Sequence, residues 1–511
     1  ERGYLSMTDG ASFSYDGNVT LNYNTLVNEK HIIYAGAGLE VTQNDNNSHG
    51  FIMTGFPDDR YSDPAFAIQY KKETKPSSSE SKSRAIGFFA NGNYSYDDRY
   101  FADVSVRIDG SSKFGADKKY APFWSAGAGW NVHNEKFFKH TKISMLKLRY
   151  SYGVTGNQEF SAYQAKTMFQ FNTDRLYNSG ISAALMGYGN PDLEWQNQYQ
   201  SNYGFDFGYA KDRIRLQFNY YQKKTEGMLT SVSVAPSLGL PSNTFTSNLG
   251  KIQNKGVEVN LNAVLIRDQG KDFEWSVMLQ AAHNKNKIME ISTALKNINE
   301  KNNQDKTTPA AVYEEGESMS AIKAVPSLGI DPTTGQELFM KKDGTITYTW
   351  DATDKVICGD SEPKVFGNVG TNLYWKGWNL NMVFKYDLGA DYYNSTLAER
   401  VEGANPRYNA DRRVLNNRWK EPGQHALYKN IKEYTTTYIS SRFVQKENTL
   451  QLTSLSLSYD LNREWIRKFG LNTMRLSFYM NDVFRASTVK NERGLDYPFQ
   501  RSFVFGLNIG F

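Results

Sequence analysis

Apolar and polar residues alternate with a period of two along most of the chain. Residues 213–220 read Arg-Ile-Arg-Leu-Gln-Phe-Asn-Tyr, which places four apolar side chains on one strand face and four polar side chains on the other. The same alternation recurs at 203–209, 257–265 and 378–386. A strand of this kind separates an apolar from an aqueous surrounding. The pattern therefore predicts an all-β protein.

The connections between these segments are of two kinds. About fifteen strands are expected, each near the roughly 10 residues that a tilted strand needs to cross a bilayer. Short turns alternate with long connections that are rich in Asn, Ser, Thr, Gly and Asp. The long connections are expected near 44–83, 154–197, 225–254, 285–363 and 388–448. Outer-membrane barrels have this asymmetry. We therefore predict a transmembrane antiparallel up-and-down β-barrel, with charged side chains on its inner face.

The last strand supports the same prediction. Five apolar residues share one of its faces: Phe503, Phe505, Leu507, Ile509 and Phe511. We expect this strand to close the barrel at the periplasmic rim and to serve barrel assembly. Counting back from it makes the number of strands odd, whereas single-chain barrels have even numbers. We therefore expect a 22-stranded barrel when complete, with about seven strands and a plug domain upstream of Glu1. The chain opens at Glu1 without the Met, the basic region and the apolar region of a signal peptide, so we expect a processed or partial chain.

Composition narrows the classes of protein. Aromatic residues make up 14% of the 511 residues, with 33 Tyr and 30 Phe, which favours strands. No run of 18 apolar residues occurs, which excludes a helical membrane protein. The 59 basic and 54 acidic residues are interspersed, so nucleic acid is not expected as a partner. The single Cys358 excludes a disulfide framework.

Several motifs occur in an order that is known from one family. Residues 106–115 read Val-Arg-Ile-Asp-Gly-Ser-Ser-Lys-Phe-Gly and follow Arg99-Tyr100. Further matches are 146–149, 153–158, 190–195, 254–258, 331–335, 418–419 and 497–498. The chain resembles the SusC/RagA family of TonB-dependent outer-membrane transporters from about residue 84 to its end. It departs from the family's pattern at Trp124, where proline is usual, and at Gln196, where an acidic residue is common.

The resemblance implies a function that the periodicity does not. It implies active import of oligomeric nutrients, glycans or peptides, across the outer membrane of a Gram-negative cell by a multi-pass, non-enzymatic protein. A SusD-like surface lipoprotein would close the extracellular mouth. TonB, with ExbB and ExbD, would supply energy through the plug. Whether two transporter–lipoprotein pairs form a dimer stays open, as does the choice between glycan and peptide.

Catalytic and metal-binding residues are not predicted. The six histidines are scattered singly, without the spacing of a zinc site. Two acidic groups, Asp58 to Asp63 and Asp351 to Asp360, could hold calcium in a loop. Neither has the order of an EF-hand loop, so a solvated loop is the favoured alternative and no cofactor is predicted.

Aromatic residues in the long connections are the candidate ligand contacts. A ring can stack on a sugar or a peptide while polar neighbours fix its orientation. The predicted ligand-binding residues are Tyr188, Trp195, Trp350, Tyr392, Tyr393 and Trp419. Packing within the loops and contact with the lipoprotein are the alternatives for each of them.

Two other functions stay open. A passive, porin-like barrel would share the strand pattern but would lack a plug and a TonB box upstream. A soluble all-β adhesin or carbohydrate-binding protein would turn the same apolar faces toward a sandwich core instead of lipid.

Overall fold

The structure, a computed structural model, describes most of the chain. It covers residues 3–490 and 500–511 except 59, 116–117, 139–141, 158–161, 178–179, 191–192, 234–243, 249, 292–295, 297–298, 301, 304, 308–311, 406, 409 and 434. The chain divides into two compact units. The first unit comprises Glu1–Ala128, Ser151–Tyr199 and Thr225–Leu249, and the second comprises Gly129–Tyr150, Gln200–Lys224 and Gly250–Phe511.

Strands dominate both units. In chain order they are β1 (Tyr4–Val27), β2 (His31–Thr54), β3 (Gln69–Tyr70), β4 (Ser77–Tyr96), β5 (Tyr100–Ser111), β6 (Tyr120–Asn131), β7 (Ile143–Asn157), β8 (Met168–Tyr177), β9 (Gly180–Gly187), β10 (Gln196–Tyr209), β11 (Ile214–Glu226), β12 (Leu229–Ser233), β13 (Thr244–Asn248), β14 (Lys251–Asp268), β15 (Phe273–Glu290), β16 (Ala321–Ala324), β17 (Ser327–Ile330), β18 (Glu337–Met340), β19 (Ile346–Thr347), β20 (Val356–Asp360), β21 (Val365–Trp375), β22 (Trp378–Tyr393), β23 (Val444–Asp460), β24 (Thr473–Ser487) and β25 (Phe503–Gly510).

The helices among the described residues are short. One α-helix, α1, spans Arg463–Arg467, and a π-helix spans Thr396–Glu402. The 3-10 helices are Pro64–Phe66, Val132–Asn134, Lys136–Phe138, Ala352–Asp354, Arg412–Leu415 and Ser441–Phe443. None of the helices in the described part of the chain is both long and apolar enough to pass through a membrane.

The main sheet confirms the predicted strand order. It has 16 strands, of which all but β3 follow one another in the order β1-β2-β4-β5-β6-β7-β10-β11-β14-β15-β21-β22-β23-β24-β25. Each main-sheet pairing with a described register is antiparallel, as in β4 with β5 and β21 with β22. The all-β class and the up-and-down order are therefore correct.

Short turns connect several of the paired strands. The turn after β1 has Asn28 and Glu29 at φ 51° and 56°, and the turn after β4 has Asp97 and Asp98 at φ 54° and 51°. Two consecutive residues in the left-handed region are typical of the type I′ hairpin, whose twist matches that of the paired strands. Lys376 and Gly377 form the same kind of turn between β21 and β22.

The predicted long connections are too long at their ends. Residues 44–54 lie in β2 and residues 77–83 lie in β4, and these two stretches pair as far as Gly50 and Ser77. The polar composition that suggests a loop instead supplies hydrogen bonds between strands, such as Ser12 Oγ to Asn46 Oδ1 at 2.7 Å. Likewise, β15 continues to Glu290 and β22 to Tyr393, so both strands extend beyond the predicted loop boundaries.

On β5 the apolar side chains are more exposed than the polar side chains, which is the reverse of the pattern in a sheet of a soluble protein. Val104, Val106 and Ile108 are each about half exposed, at 51%, 49% and 49%. Between them, Ser105 and Arg107 are less exposed, and the Arg107 guanidinium lies 2.8 Å from the Glu40 carboxylate. Apolar side chains thus occupy the open face and polar side chains the covered face. A face of this kind is stable in contact with lipid.

Candidate functional site

The long connections of the second unit fold around a core of their own. We define the loop assembly as the described residues within 316–363 and 389–443. It contains two small antiparallel sheets, β16 with β20 and β17 with β18 and β19. Its apolar core is fully buried and includes Ala324, Val325, Val401, Ile439 and Phe443. Because these five apolar residues are buried together, the segments that carry them have defined positions and can present side chains in a fixed arrangement.

A buried group of charges lies within the loop assembly. The Arg442 guanidinium lies 2.8 Å from a Glu337 carboxylate oxygen and donates to Glu402 at 2.7 Å. The Lys429 ammonium lies 3.9 Å from Glu402, whose side chain has no exposed surface. Two cations therefore balance two carboxylates. A buried charge is tolerated only when it is paired in this way.

The ionisation of these groups follows from their surroundings. Burial alone would lower the pKa of Arg442, but hydrogen bonds and charge attraction from Glu402 and Glu337 raise that pKa above its ordinary value. For Lys429, burial prevails and lowers the pKa, although Glu402 and Glu337 oppose the change. The arginine is thus the fixed cation of the group.

Arg418, the first residue of the Arg-Trp pair at 418–419, hydrogen-bonds to backbone carbonyl groups. Its guanidinium donates to the carbonyl oxygens of Val401, Glu402, Val414 and Lys429. Burial lowers the pKa of Arg418, and the nearby Glu402 charge opposes that change. The residue joins three stretches of the 388–448 connection, so its contacts are structural.

Two predicted ligand contacts use their indole groups to hold the loop assembly together. Trp350 donates its indole N–H to the Ile439 carbonyl at 2.9 Å and stacks on Tyr438 with ring centroids 5.1 Å apart. Trp419 donates to the Pro332 carbonyl at 2.8 Å. Its ring covers Gly335, where a Cβ atom would come within 2.6 Å of the indole. Both rings are half-buried, so part of each surface stays open.

Tyr392 and Tyr393 lie at the end of β22. Tyr392 is half-buried and pairs with Gln445 of β23. The Tyr393 ring packs edge-on against Phe443 with centroids 6.1 Å apart. Its buried hydroxyl has no hydrogen-bond partner among the residues that the structure describes.

Tyr188 and Trp195 belong to the first unit and differ sharply in exposure. Tyr188 is 45% exposed, whereas Trp195 is only 6% exposed. Trp195 stacks on Phe114 at 4.4 Å and meets Phe123 edge-on at 5.3 Å. Trp195 therefore has the surroundings of a core residue. These surroundings agree with packing within the loops, which is the alternative stated for this residue. Ligand contact stays a prediction for all six aromatic residues.

The terminal strand is exposed on both of its faces, since Val504, between Phe503 and Phe505, is 57% exposed. Phe503, Phe505, Leu507 and Phe511 are more than half exposed, and Ile509 is 37% exposed. Strand β25 pairs with β24 from Phe503 opposite Met480 to Gly510 opposite Thr473. A role in barrel assembly stays a prediction.

A cavity of 370 Å³ that is lined by polar residues adjoins the C-terminal part of β15. Its lining includes Asn284, Lys285, Asn286, Lys287, Glu362 and Asp391. Asn284 donates to Glu362 at 2.6 Å, and Asn286 donates to Asn254 at 2.8 Å. Amides and carboxylates in one cavity can both donate and accept hydrogen bonds, which suits a polar oligomer. None of the six predicted ligand contacts lines this cavity. Its one signal is the alternation Asn-Lys-Asn-Lys at 284–287.

The acidic groups considered for calcium make local hydrogen bonds. Asp351 accepts from the Thr353 backbone N–H at 2.8 Å, and Asp360 accepts from the Ser320 hydroxyl at 2.6 Å. Within the described residues, no three His, Cys, Asp or Glu side chains come together as a metal site would require. Asp59 lies outside those residues.

Comparisons with known proteins agree with this architecture. The family model "TonB dependent receptor-like, beta-barrel" matches residues 2–483. The TonB-dependent receptor P3 of Formosa agariphila is 28% identical over 86% of this chain and 46% of its own length. The TonB-dependent receptor SusC of Bacteroides thetaiotaomicron is 23% identical over 98% of this chain and 51% of its own length. The chain thus spans about half the length of these curated relatives.

A solved structure confirms the barrel fold. The chain matches the RagAB peptide transporter with a TM-score of 0.87 and 22% identity, over 99% of this chain and 56% of that one. The resemblance to SusC and RagA that the motifs indicated is therefore correct, and the family is one of receptors and transporters rather than enzymes. Because the family model covers most of its length, the chain belongs to the TonB-dependent receptor β-barrel family.

Proposed function

We propose that this chain forms the wall and outer loops of a SusC-like active transporter in the outer membrane of a Gram-negative cell. The observation that carries the proposal is the exposure of β5, where half-exposed Val104, Val106 and Ile108 alternate with covered polar residues. Lipid is the surrounding in which such an exposed apolar face is stable. Membership of the receptor family supports the same placement.

The proposed cargo is an oligomeric nutrient, either a peptide or a glycan. The fold shared with a peptide transporter supports a peptide, and the polar cavity beside β15 suits either cargo. The open aromatic surfaces of Tyr188, Trp350 and Trp419 are the proposed contacts. A SusD-like lipoprotein is the proposed partner at the loops, and TonB is the proposed source of energy.

The experiment is purification of the full-length protein from outer membranes in mild detergent, followed by mass spectrometry of each co-purifying polypeptide. A SusD-like lipoprotein, together with peptides of a plug encoded upstream, would support gated uptake. A lone barrel without a plug would point to passive diffusion instead. Release from membranes by carbonate without detergent would contradict the barrel and favour a soluble adhesin.

The cargo contacts need a separate test. We expect Tyr188→Ala to reduce uptake of the cargo without changing the amount of assembled transporter, because its side chain is exposed. Trp195→Ala should instead reduce assembly, since loss of a large buried aromatic costs about 3–5 kcal/mol. Equal uptake per assembled transporter in wild type and Tyr188→Ala would remove Tyr188 from the site.

A further inference from the structure

The cavity beside β15 lies where two paired strands separate. Strand β21 pairs with β15 as far as Phe366 opposite Ala282. Strand β15 then continues to Glu290, and the cavity is lined by 283–287 of β15 and by 362–364 of the segment before β21. Along 283–287, no further strand of the described chain covers this edge of β15. Side chains from both faces of the strand can therefore line the same cavity.

The carboxylates of the cavity have donors within the protein. Asp391 lies 2.8 Å from the Lys446 ammonium and accepts the Asp360 backbone N–H at 3.0 Å. Asp360 accepts the Glu362 backbone N–H at 3.0 Å, and the Glu362 carboxylate accepts from Asn284 at 2.6 Å. Each of the three carboxylates is thus stabilised by at least one hydrogen bond or ion pair.

The ammonium groups of the same cavity have no carboxylate partner. Lys285 and Lys287 of β15 and Lys364 before β21 all line the cavity, and all three side chains are exposed. None of them forms an ion pair in the part of the chain that the structure describes, unlike Lys446. Lys255 is directly opposite Lys285 in the register and adds another positive charge beside it. The cavity therefore has unpaired positive charge next to carboxylates that are already hydrogen-bonded.

Two of the lysine side chains pack against glycines of the lining. A Cβ atom at Gly389 would come within 3.2 Å of the Lys364 side chain, and one at Gly316 would lie 3.9 Å from the Lys287 Cε. The His283 ring Nδ1 lies 2.6 Å from the Lys364 carbonyl oxygen, so it donates to that oxygen. The lysine stems therefore lie along the walls of the cavity, and β15 is joined to the opposite segment at its edge.

A ligand that fits this cavity needs two kinds of group. An anionic group would give the lysines the counter-charge that they lack, and charge-assisted hydrogen bonds of this kind are the stronger ones. Hydroxyl groups would donate to the remaining lone pairs of Glu362 and Asp391, since an ionised carboxylate can accept about four hydrogen bonds. An acidic sugar carries an anion and several hydroxyls on one ring. A peptide of acidic residues adds carboxylates without hydroxyl donors, and a neutral sugar has no group for the lysines.

We propose that this cavity binds an acidic sugar unit of the cargo, one that bears a carboxylate or a sulfate, through Lys285, Lys287 and Lys364. The carboxylates and amides of the lining would orient the hydroxyls of the same ring. The cargo is then an acidic glycan rather than a neutral glycan or a peptide. This inference rests on the proposed function, the import of an oligomeric nutrient.

The test uses the full-length transporter, purified from outer membranes in mild detergent with its bound partners. Isothermal titration calorimetry would compare two acidic tetrasaccharides with their neutral forms. Tetragalacturonate bears carboxylates and its methyl ester is neutral, whereas a carrageenan tetrasaccharide bears sulfates and its desulfated form is neutral. We expect one or both acidic forms to bind about 100-fold more tightly than the neutral form, because each of three partly exposed ion pairs contributes up to about fivefold.

Three variants locate the site. K285Q/K287Q should bind the acidic tetrasaccharide about 30-fold more weakly than wild type, since two such ion pairs are lost. K285R/K287R keeps the charge and should retain most of the affinity. The matched control is K341Q/K342Q, which removes two exposed lysines of the loop assembly that do not line the cavity. This control loses the same net charge and should bind as wild type does. Heat-dependent mobility on a gel would show that each variant is assembled.

Other outcomes would overturn the proposal. Equal affinity of wild type for the acidic and neutral forms would remove the acidic site, and so would an equal loss in K341Q/K342Q. Tetraglutamate that binds more tightly than both acidic sugars, with the same dependence on Lys285 and Lys287, would assign the cavity to an acidic peptide instead. Wild-type protein that is absent from the outer membrane would contradict the proposed function itself. An assembled transporter that binds neutral oligomers without preference for acidic ones would contradict this inference alone.

Discussion

Strand β5 and the loop assembly place the same residue types in opposite surroundings. In β5, Val106 is 49% exposed, whereas in the loop assembly Ile439 has no exposed surface. The Arg107 side chain is 40% exposed within its ion pairs, whereas the Arg442 side chain is 12% exposed. The difference teaches that burial of apolar groups is not a fixed property of the residue. It depends on whether the neighbouring solvent is lipid or water.

The largest expected effect concerns the buried charges of the loop assembly. Arg442→Met would leave Glu337 and Glu402 buried without their main counter-charge, which costs about 3–5 kcal/mol. We expect hydrogen exchange in 321–340 and 396–443 to become much faster in the full-length protein, while exchange in β14 and β15 stays unchanged.

The control for that variant is Arg475→Met. The ion pair of Arg475 with Asp460 in β24 and β23 has side chains that are 56% and 42% exposed. Exposed pairs contribute about 0–1 kcal/mol, so this variant should have little effect. Similar exchange rates in both variants would contradict a special role for burial in the loop assembly.

The second prediction tests the faces of the wall. Val106→Arg puts a charge on the exposed apolar face of β5, at an expected cost of about 2–4 kcal/mol near the middle of the bilayer. Ser105→Arg puts the same side chain on the covered polar face and should cost much less. The yield of folded barrel, measured by heat-dependent mobility on a gel, should fall for Val106→Arg alone. Equal yields would mean that the two faces are assigned incorrectly.

The third prediction separates packing from backbone strain in the loop assembly. Gly335 and Gly344 both have left-handed backbones, at φ 73° and 85°. A Cβ atom at Gly335 would lie 2.6 Å from the Trp419 ring, whereas nothing lies within 4 Å at Gly344. Gly344→Ala should cost about 1–2 kcal/mol from strain, and Gly335→Ala should cost roughly 1–3 kcal/mol more from overpacking. Local hydrogen exchange would measure both, and equal costs would argue against close packing of Trp419.

The smallest expected effect is a dependence on pH. The Tyr348 hydroxyl and the Thr333 backbone N–H donate to the Asp331 carboxylate, and these hydrogen bonds lower the pKa of Asp331. A lowered folded-state pKa stabilises the turn above the unfolded value of about 4, and this stabilisation is lost as the pH falls through the lower folded value. Protection of 331–348 should therefore decrease below about pH 4 in wild type.

Asp331→Asn is the matched control for that titration. The amide can still accept the backbone hydrogen bond but does not titrate, so protection of 331–348 should be weaker at neutral pH and should change less on acidification. The same decrease in wild type and variant would assign the pH dependence to another group.

The sequence predicts the wall well because its signals are local. Alternation within 213–220 defines a strand by itself, and the apolar positions of β23 change phase near Thr453, where the structure has a register shift between Leu452 and Ser454. The ends of the strands are harder to predict. Polar residues such as Ser12 and Asn46 favour a loop by composition, but they hydrogen-bond across paired strands.

The loop assembly could not be predicted in the same way. Glu337 and Glu402 are 105 and 40 residues from Arg442, so no local pattern links them. The position of Trp195 also depends on distant residues, because Phe114 and Phe123 come from an earlier part of the chain. Aromatic residues in a loop suggest ligand contact from sequence alone, and only the folded chain distinguishes an exposed ring such as Tyr188 from a core residue.

The most direct test of the central claim compares the surroundings of Val106 and Arg107 in the full-length protein. Each position would be changed to Cys in a Cys358→Ser background and labelled with one fluorophore in outer-membrane vesicles. The label at position 106 should be quenched by a lipid-borne nitroxide and not by iodide, and the label at position 107 should show the reverse. Equal quenching of both labels by iodide would contradict a lipid-facing wall.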